Sequence, residues 1–287
     1  MRVAASLPEL RSARASLSGS LGLVPTMGAL HAGHLSLVAR AKRENGHTGV
    51  SIFVNPSQFG PSEDYAAYPR TPEKDLDLLQ GLGVDVVWTP SPDDVYPPGF
   101  QTWITVENVS TPLEGARRPG HFRGVATVVA KLFHAFAPHR AYFGQKDAQQ
   151  VAVIRRMVRD LDFNVEIVVC PTVREPDGLA TSSRNSYLLP AERHAAPVLH
   201  RALMAAKHAF ESGQRDAAVL RTLLSTTLSE EPLVQEDYVS VADPETLAEL
   251  SYVDGAALVS LAVRIGRTRL IDNVLLGVPE ETHAPRR

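Results

Sequence analysis

The chain has 287 residues, of which 44% are hydrophobic and 21% charged, a composition typical of folded globular proteins. A chain of this length is expected to form about two domains with cores that need no disulfide or metal. The net charge of −3 shows no basic surplus of the kind that nucleic-acid-binding proteins carry. We therefore expect no nucleic-acid partner.

The cysteine usage and the N-terminal stretch bear on the compartment. Cys170 is the single cysteine, lies in an apolar run and is expected to be a buried thiol in a reducing compartment. Glu9 interrupts an arginine- and serine-containing stretch that otherwise resembles a transit peptide, and Pro8 suits the first turn of a helix. No window approaches the ~20 apolar residues that cross a membrane. We expect a soluble, cytoplasmic protein with no membrane partner.

In the first 170 residues, short apolar runs alternate with helical patterns. The strands predicted from these runs cover residues 21–24, 50–54, 84–88, 102–106, 141–143 and 165–169. The helices predicted between them cover residues 31–45, 72–82, 124–136 and 147–161. Pro25 is expected to end the first strand, and Gly46 the first of these helices. This alternation favours βαβ units and a parallel sheet.

The pattern changes after residue 170. Residues 171–185 are polar and predict a long loop. An alanine-rich helix from 190 to about 213 and a helix over 216–228 follow, then strands at 238–241, 257–263 and 268–271. The sequence therefore predicts an α/β fold, with a Rossmann-like parallel sheet in residues 1–175 and a smaller α+β domain in residues 176–287.

The segment between the first predicted strand and the helix over 31–45 has the features of a phosphate site. Parallel sheets bind ligands beyond the carboxyl ends of their strands, and a helix N-terminus offers backbone N–H groups to phosphate. Gly28 and Gly33 let the backbone come close to a ligand. His31 and His34 lie three residues apart on the first turn, where imidazoles can donate hydrogen bonds to a phosphorus transition state. By spacing alone, two such histidines are more often surface polar residues. A zinc site is disfavoured, because no cysteine cluster or second histidine pair offers the remaining ligands.

Two further polar segments follow later strands. Gln58 carries both a donor and an acceptor, which suits a small hydroxy acid. Lys146 is a mobile positive charge suited to polyphosphate. Asp147 and Gln150 have the spacing of an ordinary helix cap, which is an alternative to a binding role.

Arginines stand in two of the predicted loops. Ser182, Ser183 and Arg184 together make a candidate phosphate clamp, because a guanidinium offers five donors in fixed geometry. Arg118 and Arg123 precede a predicted helix and could hold an anion, although loop arginines are commonly solvated. We assign no catalytic role to this second pair.

Taken in order, these motifs resemble a known family. His31-Ala32-Gly33-His34 after the first strand is similar to the His-x-Gly-His signature of the nucleotidylyltransferase superfamily and class I aminoacyl-tRNA synthetases. The loop that ends at Arg184 is similar to the superfamily's KMSKS-type loop. The longer string over 24–34, with the strings over 51–60, 142–150 and 173–185, is similar to the pantoate–β-alanine ligase family.

The resemblance implies a reaction and a set of site residues. The reaction is the ATP-dependent condensation of pantoate with β-alanine to pantothenate through a pantoyl adenylate, with release of AMP and pyrophosphate. The implied catalytic residues are His34, His31, Lys146 and Arg184. Gln58 and Gln150 would bind pantoate, and Gln58 also β-alanine. The implied ATP-binding residues are Met27, Gly28, Ala29, Leu30, His31, Ala32, Gly33, His34, Gly144, Gln145, Lys146, Asp147, Val173, Thr181, Ser182, Ser183 and Arg184.

The resemblance also implies ATP with Mg²⁺ as substrate, a homodimer, and a lid role for residues 176–287. Two positions depart from the family's usual pattern: Gln145 replaces a frequent glutamate, and Thr181 replaces a frequent apolar residue. The alternatives are another nucleotidylyltransferase, which needs no amine, and a catalytically silent nucleotide-binding module. A tRNA-charging enzyme is disfavoured, since no basic anticodon-binding domain is evident.

Overall fold

The computed structural model describes residues 1–61 and 63–278. The chain divides into two compact units, the first formed by Met1–Pro176 with Ala180–Ser186 and the second by Asp177–Leu179 with the chain from Tyr187 onward. The loop over 180–186 is thus part of the first unit, although it follows the predicted domain boundary at residue 175.

The first unit is built on a parallel sheet, which has six strands over the described residues. The strands are β1 (Arg2–Ala4), β2 (Leu21–Thr26), β3 (His47–Ile52), β4 (Val86–Trp88), β5 (Arg140–Gly144) and β6 (Glu166–Cys170). Their order across the sheet is β1-β4-β3-β2-β5-β6, and every neighbouring pair is parallel. The predicted α/β class is confirmed.

Helices cover the sheet, which explains why its central strands are apolar on both faces. The helices of this unit are α1 (Leu7–Ala15), α2 (Ala32–Glu44), α3 (Pro72–Gly81), α4 (Pro92–Val95), α5 (Glu114–Arg117), α6 (His121–Phe136) and α7 (Ala148–Asp160). Val38 of α2 and Leu79 of α3 pack in one core cluster with Val24, Val50 and Val87 of the sheet. The core therefore fixes where α2 begins relative to the end of β2.

The strand order creates a crevice between β2 and β5. From β2 the chain moves to β3 and β4 on one side of the sheet, and it returns on the other side at β5. At such a reversal the connections leaving the two adjacent strands separate and open a crevice at their carboxyl ends. The segments that follow β2 and β5 carry the predicted histidine and lysine motifs.

The second unit has a three-stranded antiparallel sheet among its described residues. Its elements are α8 (Pro190–Ala195), α9 (Val198–Glu211), α10 (Ala217–Ser229), β7 (Val234–Ala242), β8 (Ala257–Ile265) and β9 (Thr268–Leu276). Leu203, Leu224 and Leu261 belong to its apolar core. The single helix predicted over 190–213 is two helices, because Pro197 lacks the N–H that would continue the ladder.

The predicted strand over 102–106 is wrong. The segment is irregular, with Ile104 half-buried, Thr105 exposed and Val106 buried. Trp103 is exposed, stacks on Tyr96 at 5.6 Å between ring centroids and lies under the guanidinium of Arg123 at 4.9 Å. The backbone N–H of Ile104 donates to Thr127 Oγ1 at 3.0 Å. Alternating burial against a helix therefore gave the same pattern as a half-buried strand.

Pro25 lies inside β2 and does not end it. Within the described residues, β2 pairs with β5 only at Gly22 and Leu23, and a proline is tolerated where a strand has no ladder bond to lose on that side. Cys170 is buried, as predicted. In the described part of the chain, no helix combines the length and apolar character needed to cross a membrane.

The contact between α6 and the segment after β3 gives a stability prediction. A methyl group on Gly124 would overlap the carbonyl group and hydroxyl of Ser57. We expect Gly124→Ala to lower the free energy of unfolding by about 1–3 kcal/mol, the usual range for overpacking. Urea denaturation measures this change.

Gly81→Ala is the matched control. No atom lies within 4 Å of a methyl group placed on Gly81, which is the last residue of α3. Alanine is preferred over glycine in helices by about 1 kcal/mol, so this variant should be as stable as the parent or slightly more so. Equal stability of the two variants would contradict the packing argument.

Candidate active site

A cavity of about 220 Å³ lies at the carboxyl ends of β2 and β5, within the first unit. Residues from four of the sequence motifs line it. The predicted site residues among them are Met27, His31, Gly33, His34, Gln58, Gly144, Lys146, Asp147, Gln150, Val173, Thr181 and Arg184. His31 and His34 therefore line the same cavity as Arg184, which is far from them in the sequence.

Of the described residues, seven predicted ATP-site residues are not among those that line this cavity. They are Gly28, Ala29, Leu30, Ala32, Gln145, Ser182 and Ser183. The Ser182 hydroxyl accepts a hydrogen bond from the backbone N–H of Arg184 at 3.3 Å, and the Ser183 hydroxyl lies 3.1 Å from the Tyr68 hydroxyl. In this structure both hydroxyls hold the loop rather than line the cavity.

His31 and His34 cap α2 reciprocally. His31 is the N-cap residue, and its Nδ1 accepts from the backbone N–H of Gly33 at 3.2 Å. His34 Nδ1 accepts from the backbone N–H of His31 at 3.4 Å. The two rings lie 4.1 Å apart between centroids. Because each Nδ1 accepts, each neutral ring carries its proton on Nε2 and can donate from that atom.

Both imidazoles are held neutral. Burial is the main cause that lowers the pKa of His31 to about 4, and the positive charge of Lys146 contributes. Burial is also the main cause that lowers the pKa of His34 to about 3, and the neighbouring His31 contributes. At neutral pH the two rings are therefore uncharged hydrogen-bond donors at the start of a helix.

A buried carboxylate holds the turn before the histidines. Asp75, from α3, is 1% exposed and accepts from the backbone N–H groups of Ala29 and Leu30 at 2.8 and 2.9 Å. Gly28 and Ala29 have positive φ angles of 81° and 48°. The carboxylate thereby stabilises a backbone conformation that an alanine rarely adopts.

Gln58 is buried beside the cavity, and its amide is oriented from behind. Asn55, which is fully buried, donates from Nδ2 to Gln58 Oε1 at 2.8 Å and to the carbonyl of Gly124 at 3.2 Å. With its oxygen engaged, the Gln58 side chain offers its NH₂ group to a ligand.

Arg118 and His121 hold the main chain of Gln58. Arg118 Nη1 lies 3.1 Å from His121 Nε2, and because a guanidinium can only donate, His121 Nε2 is the acceptor. The opposite nitrogen, Nδ1, then donates to the Gln58 carbonyl at 2.8 Å. Burial and the charge of Arg118 lower the pKa of His121 to about 4, which agrees with a neutral ring. Glu63 binds Arg118 with both carboxylate oxygens, at 2.8 and 2.7 Å.

Arg184 is held in the same way by Asp64, the neighbour of Glu63, and we call the segment that carries these two carboxylates the acidic loop. Its Nε and Nη2 donate to the two carboxylate oxygens of Asp64 at 3.1 and 2.9 Å. Its guanidinium also lies over the Tyr68 ring, 5.7 Å from the centroid. Thr181, from the same loop as Arg184, approaches α2 closely, since a methyl group on Gly33 would lie 3.0 Å from the Thr181 hydroxyl.

Lys146, Asp147 and Gln150 all line the cavity. Lys146 Nζ lies 3.9 Å from an Asp147 carboxylate oxygen. Asp147 is the N-cap residue of α7, but its side chain makes no capping hydrogen bond among the described residues. Asp147 therefore occupies the predicted N-cap position without the side-chain hydrogen bond of a cap to any described residue. No group of three or more His, Cys, Asp or Glu side chains in the described residues is placed to hold a metal ion.

Sequence reasoning missed several residues that build this site. Asp75 lies in the first turn of α3 and has the pattern of any acidic residue near a helix start. Glu63 and Asp64 follow the string over 51–60 and carry no pattern that marks them as site residues. No local pattern predicts their partners, because Asp64 and Arg184 are 120 residues apart.

A family model described as pantoate–beta-alanine ligase matches residues 2–275. Among curated proteins, the pantothenate synthetase of Herpetosiphon aurantiacus is 60% identical over 96% of this chain and 100% of its own length. The pantothenate synthetase of Roseiflexus castenholzii is also 60% identical, over 96% of this chain and 99% of its own.

Solved structures are similar over the same length. The crystal structure of pantothenate synthetase from Thermus thermophilus has a TM-score of 0.92 and 51% identity, covering 96% of this chain and 99% of its own. That of pantoate–beta-alanine ligase from Francisella tularensis, complexed with beta-gamma ATP and beta-alanine, has a TM-score of 0.81 and 37% identity, covering 96% and 97%. The predicted family is confirmed, and this chain belongs to the pantoate–β-alanine ligase family.

Proposed function

We propose that the cavity between β2 and β5 is where this chain condenses pantoate with β-alanine at the expense of ATP. The carboxylate of pantoate attacks the α-phosphorus of ATP, which gives a pantoyl adenylate and pyrophosphate. The amine of β-alanine then attacks the activated carbonyl and releases pantothenate and AMP. Family membership over residues 2–275 supports this reaction.

Activation by adenylation answers a chemical difficulty. A free carboxylate does not accept an amine, because oxide is a poor leaving group, whereas AMP leaves readily. The first step develops negative charge on the α-phosphate, so the protein's task is positioning and charge stabilisation. Neutral imidazoles are suited to that task, since they donate hydrogen bonds and keep the proton.

The observation that carries the proposal is the pair of Nε2–H donors at the start of α2, in the same cavity as Lys146 and Arg184. His31 and His34 would stabilise the α-phosphate, and the two cations would stabilise the departing pyrophosphate. Mg²⁺ would enter as part of the MgATP substrate, because its preferred ligands are phosphate oxygens and water.

The other implied site residues divide between the substrates. Gln58 and Gln150, which both line the cavity, would bind pantoate, and Gln58 would also bind β-alanine. The turn over 27–34, the segment over 144–147, Val173 and the loop over 181–184 would bind ATP. In that loop the backbone of Thr181 would make the contact, so its departure from an apolar residue is tolerated.

Three further properties complete the proposal. Residues 176–287 would act as a lid, because an acyl adenylate hydrolyses readily and must be kept from water. The chain would form a homodimer, which light scattering tests by a mass twice that of one chain. It would work in the cytoplasm, where the thiol of Cys170 stays reduced.

The two-step reaction predicts a specific product pattern. With ATP and pantoate but no β-alanine, we expect one equivalent of pyrophosphate per active site, because the adenylate stays bound. Adding β-alanine should start continuous turnover and release AMP. A pyrophosphate-release assay under single- and multiple-turnover conditions measures both phases. Continuous turnover without the amine would contradict the reaction order.

Removing one donor to the phosphate should slow the first step strongly. We expect His34→Ala to lower kcat by about 10²–10³, the scale for a lost oxyanion donor. His134→Ala is the matched control, because His134 is exposed on α6 and should keep parental activity. Undiminished pyrophosphate release by His34→Ala would overturn the assignment.

The low pKa values make stability depend on pH. The folded-state pKa values of His31 and His34 are about 4 and 3, below the ordinary value of 6.5. The unfolded chain therefore binds more protons as the pH falls through 6.5, and the free energy of unfolding decreases from there down to about pH 3. We expect urea denaturation to show that the free energy of unfolding falls less between pH 7 and pH 5 for His34→Gln than for the parent.

An NMR titration measures the protonation of His34 directly. It should find no imidazolium signal from His34 above pH 5, and a midpoint near 6.5 would contradict the capping geometry.

A further inference from the structure

Two adjacent carboxylates on one loop each hold an arginine that lines the cavity. Glu63 binds Arg118, and Asp64 binds Arg184, both through two oxygens. The two arginines come from separate segments of the chain, one before α6 and the other in the loop over 180–186. The acidic loop therefore contacts the walls of the cavity at two points.

The first of these ion pairs supports the side of the cavity that holds Gln58. Arg118 donates to the Gln58 carbonyl at 3.3 Å and to His121, which donates to the same carbonyl. Glu63 thus determines where Arg118 lies, and Arg118 determines where the Gln58 main chain lies.

The second ion pair orients the guanidinium of Arg184. Asp64 takes the Nε–H and one Nη2–H, which are two of the five donors of an arginine. The remaining donors are on the opposite side of the planar group, and a bidentate partner fixes the direction in which they point. The Tyr68 ring under the guanidinium removes a further degree of freedom.

Charge and burial agree with this arrangement. The arginine partners keep the pKa values of Glu63 and Asp64 below their ordinary values, although burial opposes this. Both residues are therefore carboxylates at neutral pH. Removing one of them would leave a partly buried guanidinium without its fixed partner, and a flexible side chain would replace an oriented one.

We propose that Glu63 and Asp64 are positioning residues with separate targets: Glu63 sets Gln58 for the acid substrate through Arg118, and Asp64 sets Arg184 for the triphosphate. The proposal rests on the proposed function, since it uses the substrates assigned to Gln58 and Arg184. Neither carboxylate takes part in the chemistry.

Two neutral variants, Glu63→Gln and Asp64→Asn, test this in the full-length protein, and each serves as a control for the other. Asp64→Asn should raise the KM for ATP about tenfold and leave the KM for pantoate within about twofold of the parent, the scale of one charge-assisted hydrogen bond. Glu63→Gln should raise the KM for pantoate about tenfold and leave the KM for ATP within about twofold of the parent. Calorimetric titration with α,β-methylene ATP, which cannot release pyrophosphate, should show the same weakening for Asp64→Asn.

Asp237→Asn is a control for the loss of an arginine-paired carboxylate elsewhere. Asp237 binds Arg269 Nε and Nη2 at 2.8 and 2.7 Å within the second unit, and this variant should keep both KM values. A thermal melt of every variant accompanies the kinetics.

The proposal fails if either loop variant raises both KM values equally, unfolds at the assay temperature, or leaves both values unchanged, because these results indicate a general structural role or none. Tighter binding of α,β-methylene ATP by Asp64→Asn would also overturn it, since Asp64 would then be competing with the phosphates. If the parent protein releases no pyrophosphate with pantoate, the proposed function fails instead, and the analogue titration still decides the role of Asp64.

Discussion

The reciprocal capping of α2 by His31 and His34 is the constraint on which the site depends. The hydrogen bonds that satisfy the first N–H groups of the helix also occupy Nδ1 of both rings. This fixes the tautomer and leaves Nε2–H as the donor, while burial keeps both imidazoles neutral. A lysine in either position would bring a charge and no acceptor, so it could stabilise phosphate but could not cap the helix.

The capping pair is useful only because the fold carries it to the right place. Core packing of α2 and α3 against the sheet fixes the helix, and Asp75 fixes the turn that leads into it. The reversal of strand order then places the end of β5, with Lys146, beside the end of β2. The cavity therefore collects its groups from segments more than a hundred residues apart in the chain.

Internal ion pairs balance the positive charges of the two arginines that line the cavity. Arg118 and Arg184 are each matched by a carboxylate from the acidic loop, and the imidazoles are uncharged. On the proposed function, such a site would stabilise a polyphosphate by oriented donors more than by excess positive charge. A preorganised set of this kind needs little rearrangement when charge develops on phosphorus.

The sequence by itself determined the α/β class, most of the strands and helices, and the family, because these rest on local periodicity and on strings such as residues 24–34. It did not determine the roles of Asp75, Glu63 or Asp64, since hydrogen bonding between distant residues leaves no periodic trace. The strand predicted over 102–106 was wrong, because packing against a helix gives the same alternating pattern as a strand. The single helix predicted over 190–213 was also wrong, because Pro197 divides it. Only the tertiary structure decided that Asp147, at the N-cap position of α7, lines the cavity and makes no capping hydrogen bond to a described residue, because the spacing along the chain does not fix where a side chain points.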